Sequence, residues 1–183
     1  VNSAGTITYA TTGNNLFLAN GTLLSNSGLL DIQGDININP TGGASTINNS
    51  GTIRKSAGAG TAIINILTNN TAATIDQAAG NIRFGAGGGF SGVTALTGTG
   101  LTLFGGTFVI ADGSSFTSDL TITNSALVNV EGGLLLPTLN LSGGTLNIDT
   151  LAGSSTGDTL NANVINWTSG MTVSGGGSGI LDI

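Results

Sequence analysis

The chain restarts itself about every twenty residues, and that repetition constrains its fold more than any other feature. Asn26-Ser27-Gly28 precedes Leu29-Leu30-Asp31-Ile32, and 23 residues later Asn49-Ser50-Gly51 precedes Thr52-Ile53-Arg54. About 21 residues beyond Asn49, Asn70-Thr71 precedes Ala73-Thr74-Ile75-Asp76. Asn81-Ile82-Arg83-Phe84 parallels Leu101-Thr102-Leu103-Phe104, with the phenylalanines 20 apart. Gly106-Thr107-Phe108-Val109-Ile110 parallels Gly144-Thr145-Leu146-Asn147-Ile148 at 38, which is two periods of 19. A period of 19–23 residues is the length of one coil of a parallel β-solenoid, so 183 residues make roughly 8–9 coils.

Within each cassette apolar residues alternate with polar ones. Leu120-Thr121-Ile122-Thr123, Val128-Asn129-Val130, Leu139-Asn140-Leu141 and Leu146-Asn147-Ile148 each turn aliphatic side chains to one face, as a strand with one buried side requires. Almost no α-helix is expected, because glycine interrupts every window of a dozen residues that carries helical apolar spacing. The fold class is therefore all-β, a single solenoid domain over 1–183, with an antiparallel β-sandwich as the alternative. The solenoid is favoured by self-similarity at one period and by Asn at recurrent turn positions, where stacked amides can bond one another up a column.

Composition narrows the function. Hydrophobic residues make up 39% of the chain but aromatics only 4% and charged residues 7%, so the polar content is Asn, Thr and Ser, which is not the make-up of a disordered segment. The 32 glycines keep no three-residue spacing, which excludes collagen. Only Arg54, Lys55 and Arg83 are basic, against nine acidic residues, so nucleic acid and anionic membrane surfaces are poor partners. No apolar stretch reaches the roughly 18–20 residues that span a bilayer, so membrane insertion is not expected. Cysteine and histidine are absent, which removes disulfides, thiolate metal sites and the commonest general base.

Asn49-Ser50-Gly51-Thr52-Ile53-Arg54, Thr74-Ile75-Asp76, Asn81-Ile82-Arg83-Phe84-Gly85 and Asn166-Trp167-Thr168-Ser169-Gly170-Met171 resemble repeat stretches of very large bacterial surface and secreted proteins. These are the autotransporter-passenger and filamentous-haemagglutinin-like adhesins, and the likeness runs along nearly the whole chain. It implies a right-handed parallel β-helix, export and adhesion, without specifying a target.

Motifs with chemical meaning fail on context. Gly153-Ser154-Ser155-Thr156-Gly157 matches a hydrolase nucleophile elbow, but Ser155 has no histidine to take its proton, and a turn between coils is the expected role. Gly87-Gly88-Gly89-Phe90-Ser91-Gly92 matches a dinucleotide fingerprint but is followed by strand-like sequence instead of a helix, so a loop is expected. Asp35-Ile36-Asn37-Ile38-Asn39 begins like a calcium loop, yet Pro40 replaces its glycine and the alternating Ile reads as strand. The acids are spread almost evenly, so a polysaccharide-cleaving site would need stacking to pair them, notably Asp31 with a neighbour one coil away. Thr6-Ile7-Thr8, Thr97-Gly98-Thr99 and Thr121-Ile122-Thr123 raise ice binding, but their spacings form no regular column. Sequons occur at Asn20, Asn48, Asn69, Asn140 and Asn166, a number that an Asn- and Thr-rich chain produces without selection. Trp167 is expected to pack near the C-terminal end of the core, with an exposed contact residue as the alternative.

The function expected from these readings is non-catalytic: an extracellular structural or adhesive β-helix of a bacterial cell-surface or secreted protein, with no cofactor, no metal and no nucleic-acid partner. A carbohydrate-active β-helix enzyme and an ice-binding solenoid are the alternatives. Contacts with a glycan or other surface would fall on the outer Asn/Thr faces or on the stretches 85–92 and 152–158. The opening Val1-Asn2-Ser3-Ala4-Gly5-Thr6-Ile7 and the closing Ile180-Leu181-Asp182-Ile183 read as mid-repeat sequence, so continuation in a longer chain or end-to-end self-association is expected.

Overall fold

The computed structural model describes residues 1–11, 13–92, 95–148, 158–175 and 180–182. It is a parallel β-solenoid of about eight turns, with no helix among the described residues. Each coil lays one strand on each of three faces. Face one carries Asn2–Ser3, Leu23–Asn26, Thr46–Asn49, Leu67–Thr71, Gly88–Ser91 and Thr107–Ala111. Face two carries Thr6–Tyr9, Leu29–Gln33, Thr52–Ala57, Thr74–Gln77, Ala95–Gly98 and Ser115–Phe116. Face three carries Leu16–Ala19, Asn37–Thr41, Thr61–Ile64, Asn81–Phe84 and Leu101–Leu103. Every strand pair in these stacks is parallel, which excludes the antiparallel sandwich.

Coil length varies along the axis: on face one it falls from 23 residues to 18 and then rises to 27, where Asn147 pairs with Ser174. On face one, Ser25 pairs with Asn48 at a separation of 23, Asn48 with Asn69 at 21, Asn69 with Gly89 at 20, and Asn129 with Asn147 at 18. The lost residues come out of the corners. Leu120–Glu131 runs from face three into face one without a break, pairing first with Leu101–Leu103 and then with Thr107–Ala111. Leu134–Ile148 likewise spans the corner, pairing with Leu120–Glu131 from Leu139 onward.

The period-2 alternation places Leu30, Ile53, Ile75 and Leu96 in one inward column of face two, all fully buried. Ile82, Leu101, Leu120 and Leu139 form the equivalent column on face three. Burying each Leu or Ile contributes roughly 1.5–3 kcal/mol, so repetition supplies most of the stability. The interior is not purely aliphatic, as the repeat suggested. Phe84, Phe90 and Phe116 meet edge to face, with centroids 6.1 and 5.6 Å apart. Asn26, Asn49, Asn70, Gln77 and Lys55 are buried with them.

One pairing read from the sequence shifts by a residue. Phe84 lies beside Leu103, not Phe104, because the coil there takes 19 residues from Ile82 to Leu101. Phe104 consequently points outward, over the side-chain-free Gly85, with the Arg83 guanidinium 4.3 Å from its ring centre. The stretch 85–92 is not a free loop either. Gly88–Ser91 is a strand of face one, and Gly88 is inward, with φ +140°. A Cβ on Gly88 would fall on the Thr68 carbonyl. Gly88→Ala should therefore lower stability by at least about 2 kcal/mol in a thermal melt. Gly133→Ala, where a Cβ meets nothing within 4 Å, should leave the melt unchanged.

Candidate binding groove

The corner between faces one and two is shaped by a ladder of buried amides. Asn26, Asn49 and Asn70 follow Leu24, Ile47 and Thr68 at the inward phase of successive strands, so their side chains enter the core. The Asn26 amide nitrogen donates to Asn49 Oδ1 at 2.8 Å, and that of Asn49 donates to Asn70 Oδ1 at 3.0 Å. Asn70 in turn donates to the Gly89 carbonyl at 3.3 Å. The rungs also hold the corner backbone: Asn26 donates to the Thr52 carbonyl at 3.0 Å, and the Gly51 N–H donates to Asn49 Oδ1 at 3.3 Å. The ladder stops where Phe90 replaces asparagine in the register.

At its other end, Asn26 Oδ1 is buried and accepts no hydrogen bond, and its register partner is Ser3. The serine is short, and its hydroxyl is directed at the Gly5 carbonyl. Ser3→Asn should add a rung and raise stability by about 1 kcal/mol, measured by chemical denaturation.

Outside this corner the flanking residues leave a groove of about 560 Å³. Its walls are two columns facing solvent: Ser25, Asn48 and Asn69 on one side, and Ser27, Ser50 and Thr71 on the other. Asn2, Ser3 and Ala4 line it one coil further along the axis, with Asn2 in register with Ser25. Among the described residues no charged or aromatic side chain lines it. Asn69 donates to Asn48 Oδ1 at 3.1 Å, while the Ser27 and Ser50 hydroxyls donate to the Ser3 and Asn26 carbonyls at 3.2 and 3.4 Å.

Similar amide pairs line other outer surfaces. Asn65 donates to Asn39 at 2.9 Å, Asn147 to Asn129 at 3.0 Å and Asn166 to Asn140 at 2.8 Å. Four of the five sequon asparagines, Asn48, Asn69, Asn140 and Asn166, thus sit in strands and bond a neighbouring coil; Asn20 alone lies at a turn, with φ +53°.

Register also decides the candidates for chemistry. Asp31 does not meet a second carboxylate: Thr8 and Arg54 occupy the adjacent coils. Arg54 pairs with Asp76 at 3.2 Å, and Thr97 donates to Asp76 at 2.8 Å. That column separates Thr8 from Thr97, so the Thr-x-Thr sequences do not stack. Asp35 does not begin a calcium loop; its carboxylate receives the Lys55 ammonium at 2.8 Å and the Gly60 N–H at 3.0 Å. No cluster of three metal-ligating groups occurs among the described residues. Gly88–Ser91 leads to the strand Ala95–Gly98, not to a helix that could receive a pyrophosphate. Ser155 and the stretch 152–157 fall outside the described residues. Trp167 takes an inward register beside Leu141 yet is 53% exposed, because no described strand covers it from beyond; its Nε1 donates to the Ser169 carbonyl at 2.8 Å.

No known protein family, curated protein or solved structure matches this chain. Its surface chemistry therefore carries the functional reading. The stacking of asparagines was read from the sequence, but as turn columns; that Asn26, Asn49 and Asn70 point into the core, and that Lys55 does, was not. Both had a signal, since each stands two residues after an inward aliphatic or Thr68 in a period-2 strand.

Proposed function

We propose that the chain is a non-catalytic, extracellular structural and adhesive segment of a bacterial cell-surface or secreted protein, serving as stalk, adhesin or fibre element in attachment or biofilm. The observation that supports this reading most is the regular presentation of neutral amides and hydroxyls in outer columns, locked to one another from coil to coil. Such columns hold a rigid polar surface at the strand spacing of about 4.8 Å, suited to many weak contacts in parallel. Carboxylates at Asp31, Asp35 and Asp76 lie beside Arg54 or Lys55 and not beside one another, an arrangement suited to holding coils together.

The test is retention of beads coated with the chain on glycan-bearing and abiotic surfaces under flow. Retention well above that of beads coated with an unrelated acidic protein is expected; equal retention would sink the adhesive reading. End-to-end association belongs to the same proposal, and electron micrographs over a concentration series should show rods that lengthen.

A further inference from the structure

We propose that the corner groove is a binding site for a neutral, extended polysaccharide lying along the solenoid axis. This rests on the adhesive reading and assigns it a ligand and a place. The groove's side-chain polar groups are amides and hydroxyls, and the protein's cations are committed elsewhere: Arg54 to Asp76, Lys55 to the interior, Arg83 to the Phe104 ring. An anionic polymer would find no counter-charge there.

The existing hydrogen bonds define what a ligand must offer. The Ser27 and Ser50 hydroxyl protons are given to backbone carbonyls, which leaves oxygen lone pairs as acceptors. Asn48 Oδ1 is taken by Asn69, which leaves the Asn48 amide nitrogen as a donor. Acceptors and donors therefore alternate across the groove, and sugar hydroxyls, which both donate and accept, satisfy both. An extended peptide with apolar side chains would leave the serine oxygens desolvated without partners.

The groups repeat at about 4.8 Å over four coils, a run of about 14 Å. One step is comparable to the length of a sugar ring in an extended chain, so the groove takes a short run of sugars. It ends where Gly89 follows Asn69 in the outer column and supplies no side chain.

The experiment is sedimentation of the full chain with insoluble neutral polysaccharides (cellulose, chitin and mannan) and with pectate as an anionic comparison. Ser50→Tyr fills the groove from a side chain that points to solvent, and Thr74→Tyr places the same ring on face two as a control, with circular dichroism confirming both folds. We expect binding to at least one neutral polysaccharide, about tenfold weaker for Ser50→Tyr, a change of about 1.4 kcal/mol, and unchanged for Thr74→Tyr. Equal binding by Ser50→Tyr and wild type would overturn the groove while leaving adhesion standing. Binding to pectate alone would overturn the ligand class. No binding to any polysaccharide, with beads still retained on other surfaces, would overturn the inference but not the adhesive function; loss of both would end both.

Discussion

Lys55→Ala should unfold with about 3 kcal/mol less stability than the wild type, a shift of the thermal midpoint on the order of 10 °C for a chain of this size. Lys55 is fully buried, at the inward phase of a face-two strand between Ile32 and Gln77. Its ammonium donates to the Ala57 and Gly58 carbonyls at 2.7 Å each and to Asp35 Oδ1 at 2.8 Å, so one side chain ties together the turn from face two to face three. Truncation leaves a cavity the length of a lysine stem and removes the donor from three acceptors at once. Lys55→Met, which keeps the stem, should lose less. Circular dichroism melts of the two variants separate the packing part from the hydrogen-bonding part.

The same contact sets an acid limit. The Lys55 hydrogen bond, aided by the Gly60 N–H, holds the Asp35 carboxyl below its ordinary value of 3.8, against the smaller opposing effect of burial. A carboxyl whose folded pKa lies below its unfolded one contributes stability that is complete above the ordinary value and is lost as pH falls through the folded value. The wild type should therefore lose stability as the pH drops below about 4, and Lys55→Ala should show a shallower acid limb.

Asn49→Ala is the second large effect, about 3 kcal/mol by denaturant titration. Asn49 is the middle rung: it accepts from Asn26 and from the Gly51 N–H and donates to Asn70. Its removal leaves Asn70 Oδ1 without its donor, an unmade hydrogen bond costing about 1–3 kcal/mol where water is excluded, and empties the inward slot between Asn26 and Asn70, while the Gly51 N–H keeps the Asn26 carbonyl at 3.2 Å. Replacing Asn26, Asn49 and Asn70 by leucine together should cost less than the sum of the single changes, since no orphaned amide then remains.

The fold was legible because its signal is redundant. Leu120-Thr121-Ile122, Leu139-Asn140-Leu141 and Leu146-Asn147-Ile148 each state the buried face, and the Asn-Ser-Gly cassettes state the coil. Register was harder to read. The true spacing varies from 18 to 27 along face one, so matching Phe84 to Phe104 by likeness missed the neighbour by a residue. Asn26 and Asn49 were legible as repeated, but their residue type argued for turns, and only the phase of Leu24 and Ile47 shows that they point inward. The groove was hidden for a further reason: its walls come from Ser25, Asn48 and Asn69, which parallel pairing alone brings side by side. Trp167 looked like core because it stands in an apolar strand, yet burial depends on what stacks above it.

The buried polar residues also solve an addressing problem. Columns of interchangeable Leu, Ile and Val would tolerate a coil that docks one step too high or too low, because every inward slot accepts every aliphatic plug. The amides at 26, 49 and 70 and the ammonium at 55 do not tolerate it, since a slipped coil would set each against hydrocarbon. They act as index marks that number the early coils. Coils beyond them have a purely aliphatic face-three column at Leu101, Leu120 and Leu139 and, among the described residues, bury only Ser114, Ser118 and Asp158 as polar groups, with no amide or ammonium; they are where duplication or deletion of a whole turn would be absorbed.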